Sequence, residues 1–198
     1  RGPHQPSYGA EISRPIAKWT ELVSDVRAVP FWVNKAFADA RAYPPGPIVV
    51  EFTREAMAWV MGEGSTPNYI PSVQLAAPTR TACPAEVVEQ AVDLLLKAER
   101  PAVVAGPGVY WSDASRELSE FVELLQLPVN TRRIARGAVP EDHPLAFSGG
   151  HRRSLLSNAD LIMTIGLRLD FLEGHGQPPL WNREATYIQL NESTEETS

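Results

Sequence analysis

Apolar and polar positions alternate between two rhythms along this chain. In residues 31–42, FWVNKAFADARA, the apolar groups Phe31, Val33, Ala36, Phe37 and Ala40 recur at helical spacing. YPPGP follows and forces a break, because proline cannot continue a helix and glycine supplies a turn. Residues 48–52, IVVEF, are short, β-branched and continuously apolar, which predicts a buried strand. Helix, turn and strand in this order match the last part of an α/β domain. Both rhythms then stop. Residues 62–82, GEGSTPNYIPSVQLAAPTRTA, are rich in glycine, proline, serine and threonine and keep no period. They predict a linker reaching Cys83 and packed along a surface. Residues 1–61 are thus the C-terminal part of one domain, and residues 84–198 belong to a second.

Beyond the linker the pattern resumes. Pro84 suits a first helical turn. AEVVEQAVDLLLKAER then places Val87, Val88, Ala91, Leu94, Leu95 and Ala98 on one broad face, with Lys97 and Arg100 complementing the C-terminal dipole. PAVVAG, residues 101–106, predicts a strand. Residues 112–126 predict a helix capped by Ser112 or Asp113, with Leu118, Phe121, Val122 and Leu125 inward. LPVN (127–130) predicts a short strand and RRSLLSNA (152–159) a short helix. DLIMTIG (160–166) and ATYIQL (185–190) predict strands. Continuous apolar strands separated by helices indicate an α/β fold with a parallel sheet flanked by helices on both faces.

Composition narrows the function classes. A chain of 198 residues, 43% hydrophobic, can bury a core without disulfide or metal staples. The net charge of −6 speaks against nucleic acid or an anionic membrane as partner. Cys83 is the sole cysteine, so neither an internal disulfide nor a cysteine-rich zinc site can form. A lone thiol fits a reducing, cytoplasmic setting. No apolar run reaches the roughly 20 residues of a membrane span. The opening RGPHQPSYGA reads as loop, and both ends read as cuts through a longer protein.

Candidate chemistry sits where strands end. Gly106 and Gly108 follow the first strand of the second domain, with Pro107 between them. Such a glycine pair lets backbone N–H groups approach a phosphate, or it simply makes a tight turn. A full dinucleotide fingerprint would carry a third glycine where Trp111 stands. Arg168, two residues past the strand 160–166, could grip a phosphate bidentately or pair with Asp170 or Glu173. Asn191, at the end of the last strand and followed by Glu192, could meet a ribose hydroxyl or form a turn. TRRIARG clusters Arg132, Arg133 and Arg136, which read as a solvated loop paired with Glu141 and Asp142. His143 and His151 lack metal-ligand company. His175 lies between glycines with no partner in view, and Cys83 has no base beside it.

The order of these features resembles the large thiamin-diphosphate enzymes. AERPAVVAGPGVYWS, LPVNTRRIARGAVPEDHPLAF, NADLIMTIGLRLDFLEGHGQPP and ATYIQLN are similar to successive segments of that family's central domain. ISRPIAKWTELVSDV and PPGPIVVEFTRE resemble the end of its pyrimidine-binding domain. Within the family, GLRLDFLEGHGQPPLW is most similar to the 2-hydroxyacyl-CoA lyases and oxalyl-CoA decarboxylases, with acetolactate synthases second. The resemblance implies that the central domain holds ADP, or the ADP part of CoA, lined by Gly106, Pro107, Gly108, Arg168 and Asn191. The chain departs from the branch at two of these, with Asn191 where an acidic residue is usual and Pro107 where a basic one is common. It also implies that thiamin diphosphate and Mg2+ are bound by parts outside this segment, which carries no catalytic residue. The implied substrate is an acyl-CoA, and the implied assembly a homodimer or homotetramer. Two other classes share the central fold. An electron-transfer flavoprotein domain would leave the preceding helix–turn–strand unexplained, and a sirtuin-type deacylase needs four zinc-binding cysteines. A purely structural domain with a dead nucleotide site is a third alternative.

Overall fold

The computed structural model describes residues 8–57, 68–70 and 82–193. The chain divides into two compact units, Arg1–Arg80 and Thr81–Ser198. Most of the expected 62–83 linker lies outside the described residues.

The first unit contains α1 (Gly9–Ser13), β1 (Thr20–Val23), α2 (Val29–Arg41), β2 (Val49–Phe52) and α3 (Arg54–Met57). The expected helix at 31–42 is α2. It starts two residues early because Pro30 occupies its first turn, where a missing N–H costs nothing. The expected strand at 48–52 is β2, which pairs in parallel with β1, Thr20 opposite Val49. Periodicity misses α1 and β1 because four or five residues span barely one period. It also reads Gly9 and Ala10 as loop, whereas they open α1. Asp39 ties α2 to the segment before β1, accepting from Trp19 Nε1 at 3.0 Å and pairing with Lys35.

The second unit runs α4 (Ala85–Lys97), β3 (Pro101–Ala105), α5 (Pro107–Trp111), α6 (Ser115–Leu125), β4 (Val129–Thr131), α7 (His151–Asn158), β5 (Leu161–Ile165) and β6 (Thr186–Leu190). All four strands are parallel, in the order β4-β3-β5-β6. Ala146 makes a further parallel bridge to Val129 outside β4. Across the sheet the extended segments therefore come in chain order third, second, first, fourth, fifth. This is the doubly wound order, and its direction reverses between β3 and β5.

The sheet is buried on both faces, which is why its strands are apolar without alternation. Val103, Ala105, Leu161 and Met163 face one cluster with Leu118 and Val122 of α6. Ala102, Val104 and Ile162 face the other, with Leu156 of α7, Leu167 and Trp181. The helix expected at 112–126 begins at Ser115, and its N-cap is Ala114, without a side-chain bond. Ser112 and Asp113 instead form the joint after α5, with Asp113 in the left-handed region at φ 52°. Helix α5 itself was not expected. Within α4 only Leu95 is buried; Val87, Val88 and Leu94 are exposed, since nothing among the described residues covers that side.

Asp160 locks the amino end of the sheet. Its carboxylate accepts from the amides of Glu99 and Arg100, both at 2.9 Å. Its own N–H donates to the Arg100 carbonyl, and its carbonyl accepts from Thr186 N–H at 2.8 Å. One residue thereby registers β3, β5 and β6. Burial pushes the Asp160 carboxyl pKa up, but the amide donors of Arg100 and Glu99 outweigh it and hold the group below its ordinary value.

A group whose pKa is lower in the folded state stabilises the fold above its unfolded pKa of about 3.9 and loses that contribution as pH falls. Between pH 7 and pH 3 the wild type should lose more of its urea midpoint than Asp160→Asn, with β3 and β5 amide exchange reporting the same difference. Gly166 provides the second test of the fold. A Cβ there would lie 2.6 Å from Gly108 Cα, on a residue at φ 57°. Gly166→Ala should cost about 3 kcal/mol or more in urea unfolding, combining a backbone clash with left-handed strain.

Candidate functional site at the carboxyl edge

In an open α/β sheet, ligands bind outside the carboxyl ends of the strands, where the strand order reverses. Here that point lies between the ends of β3 and β5. The loops leaving these strands begin with Gly106 and Gly166.

The two loops are interlocked by backbone. Gly106 N–H donates to Ile165 O at 2.8 Å, and Gly108 N–H donates to Gly166 O at 2.9 Å. A Cβ on Gly106 would lie 2.5 Å from Gly166 O. These glycines are therefore required by the close approach of two chains. Their N–H groups are committed to β5 and its loop, and Pro107 has none. Trp111, which stands where a third glycine was sought, ends α5. It is exposed and packs edge-on against Tyr110, ring centroids 5.3 Å apart.

Arg168 projects from the loop after β5. It is exposed and has no hydrogen bond or ion pair among the described residues. Both acidic partners open to it from sequence are taken by other arginines. Asp170 accepts two bonds of 2.7 Å from Arg133 Nη2, and Glu173 is held by Arg132 and Arg152. Asn191 follows β6 and reaches back toward the same loop, its Nδ2 lying 3.5 Å from Leu167 O. Gly106, Pro107, Gly108, Arg168 and Asn191 thus belong to loops opening at one edge of one sheet.

The arginine cluster is only partly as expected. Arg136 pairs with Glu141. Arg132 and Arg133 instead cross the end of β3 to the loop after β5, because β4 and β5 flank β3. Pairing with Arg133 leaves Asp170 with a lowered pKa: the Arg133 guanidinium and the amides of Leu172 and Glu173 favour its carboxylate, and outweigh burial, which pushes the other way.

Glu173, open from sequence only as a partner of Arg168, is the group whose role sequence reasoning missed. It is fully buried, 0% exposed. Arg132 Nε donates to its Oε1 at 3.0 Å, and Arg152 Nη2 holds Oε2. Trp181 Nε1 donates to the Glu173 carbonyl at 2.6 Å, and the Arg152 guanidinium lies 5.7 Å from the centre of the Trp181 ring. Burial lowers the Arg152 pKa; Glu173 opposes the shift and Arg132 adds to it. No local pattern reveals this group, since its partners stand 41 and 21 residues away in sequence.

Other candidates take ordinary places. His175 is exposed at φ 52°. His143 Nδ1 accepts from Leu145 N–H. Cys83 is exposed and free. Among the described residues no group of three His, Cys, Asp or Glu could hold a metal ion, and no helix is long and apolar enough to cross a membrane. An open cleft of about 390 Å3, lined by Arg100, Pro101, Pro128 and Asn158, lies at the amino end of the sheet. It faces away from the strand reversal and gathers none of the residues above.

Comparison with known proteins agrees with this geometry. Residues 88–198 match the family model described as thiamine pyrophosphate enzyme, central domain. The chain is 30% identical over 179 residues to oxalyl-CoA decarboxylase of Escherichia coli K12, covering 90% of this chain and 31% of that protein. It is 30% identical over 200 residues to 2-hydroxyacyl-CoA lyase of Arabidopsis thaliana, covering 99% and 34%. An acetolactate synthase large subunit of Buchnera aphidicola is 31% identical over 168 residues, covering 80% and 29%. The chain therefore spans about a third of the length of the curated relatives it matches. Benzoylformate decarboxylase of Polynucleobacter necessarius shares the fold, with a TM-score of 0.68 at 20% identity over 95% of this chain and 35% of that one. A doubly wound sheet, a reversal point flanked by glycine-bound loops and these matches lead to one conclusion: the chain belongs to the thiamine pyrophosphate enzymes, and its second unit is their central domain.

Proposed function

We propose that this chain is part of a thiamin-diphosphate-dependent 2-hydroxyacyl-CoA lyase, and that its second unit holds ADP or the ADP part of CoA. The activity is cleavage or formation of the C–C bond next to an acyl-CoA thioester, with formyl-CoA and an aldehyde or ketone as the other partners. One observation carries the nucleotide reading. Arg168 stands exposed and unpaired on the loop after β5, at the strand-reversal edge, while the acidic residues around it are occupied by other arginines. A free guanidinium fork at the strand-reversal edge is suited to a phosphate. In this reading Asn191, which follows β6, meets the ribose, and the Gly106–Pro107–Gly108 turn forms the floor.

Among the described residues no group of three His, Cys, Asp or Glu could hold the magnesium of thiamin diphosphate. In this reading the cofactor is held by segments outside these 198 residues and supplies the carbon–carbon chemistry. The role of this chain is to bind and orient the nucleotide portion.

The CoA branch is favoured over an acetolactate synthase-like carboligase by the continuous run GLRLDFLEGHGQPPLW after β5, and two relatives with CoA in their names support it. The intact protein, supplied with thiamin diphosphate and Mg2+, should release formyl-CoA from a 2-hydroxyacyl-CoA. Formyl-CoA and carbon dioxide from oxalyl-CoA alone would make it a decarboxylase, and acetolactate from pyruvate would overturn the CoA assignment. Calorimetry adds a structural check. Arg168→Ala should weaken ADP binding by about ten- to a hundredfold, the scale of a lost charge-assisted contact of about 1.5–3 kcal/mol. It should leave the urea midpoint unchanged, because the side chain supports nothing in the fold.

A further inference from the structure

We propose that Arg132 and Arg152, braced on Glu173, form an anion subsite for a phosphate group of the bound nucleotide. This rests on the nucleotide reading above and adds two arginines to it.

The case begins with the backbone. A phosphate at a glycine turn is ordinarily held by free N–H groups. Here Gly106 and Gly108 donate to Ile165 and Gly166, and Pro107 has no N–H to offer. A phosphate at this edge must therefore be held mainly by side-chain cations.

Charge counting shows which cations are available. Arg133 is neutralised by Asp170, and Arg136 by Glu141. Arg132 and Arg152 share a single carboxylate, Glu173, which is fully buried. Two guanidinium groups on one carboxylate leave one positive charge uncompensated. Such charges are expensive away from water unless paired. The Arg152 side chain is only 12% exposed, and its Nε is buried without a partner. Arg132 spends its Nε on Glu173, and neither of its Nη groups has a hydrogen bond among the described residues. The cluster is short of one anion.

Position supplies the rest. Arg132 N–H donates to Ala105 O at 2.8 Å, so Arg132 sits against the last residue of β3, next to Gly106. Arg152 lies in the first turn of α7, the helix that runs back to the start of β5, so it too stands at the carboxyl edge. Glu173 belongs to the loop that carries Arg168. It acts as a positioning residue, turning the Arg132 fork so that its Nη groups remain open.

Calorimetry on the intact protein tests this with three probes: ADP, inorganic pyrophosphate and adenosine. Arg132→Gln should weaken ADP and pyrophosphate at least tenfold and leave adenosine unchanged. Arg132→Lys, which keeps the charge but loses the fork, should lose less. Both variants retain the Glu173–Arg152 pair, and exchange protection of β5 amides verifies the fold. If the wild type binds ADP and Arg132→Gln binds it within twofold, the subsite is overturned while the nucleotide reading stands. If pyrophosphate binds in an Arg132-dependent way but ADP does not bind, the subsite stands and the nucleotide reading falls. Absence of binding by all three probes removes both.

Discussion

The second unit depends on how closely two strand ends approach. Gly106 and Gly108 meet Gly166 at distances that exclude a Cβ on any of the three. That approach lets the first β3 loop bond directly to the carbonyls at the end of β5. It brings the beginnings of both loops to one place at the point where the sheet changes direction. Everything that has been assigned to the site is then set by the length of each loop beyond this contact. Arg168 and Glu173 are two and seven residues past Gly166 on the same loop, yet one is exposed and the other fully buried.

Burial of Glu173 in turn organises the charges. A carboxylate withdrawn from water demands cationic partners, and it draws one arginine from the loop after β4 and one from α7. Since Arg133 does the same with Asp170, the loops on either side of β3 are held together across its end. The carboxyl edge thus has two kinds of arginine: those satisfied by carboxylates, and those with donors to spare. A ligand distinguishes between them by its own negative charge.

Much of this architecture was legible in the sequence. Buried parallel strands show as unbroken apolar runs, so β2, β3, β5 and β6 fall within a residue or so of their expected bounds, as does α2 once Pro30 is taken as its opening. β4 is less exact, because Leu127 and Pro128 precede its paired residues as buried or half-buried chain, with the Pro128 carbonyl accepting from Val103 N–H at 2.9 Å. Helix α5 was invisible, being five residues of mixed pattern dictated by the glycine contact. The apolar face of α4 was correctly periodic, yet only Leu95 finds cover. In the site, Arg168 could be located but its lack of a partner could not, because that depends on which arginines reach Asp170 and Glu173 from 37 and 41 residues away. Long-range charge pairing leaves no trace in local periodicity.

Asp160 gives the sheet a division of labour. By fixing β3, β5 and β6 from the amino end, it sets strand alignment apart from the rim loops beyond the Gly106–Gly166 contact. Insertions and substitutions in the rim loops can then accumulate without shifting one strand against another. Such a scaffold is free to diversify in what it recognises while its framework is inherited intact.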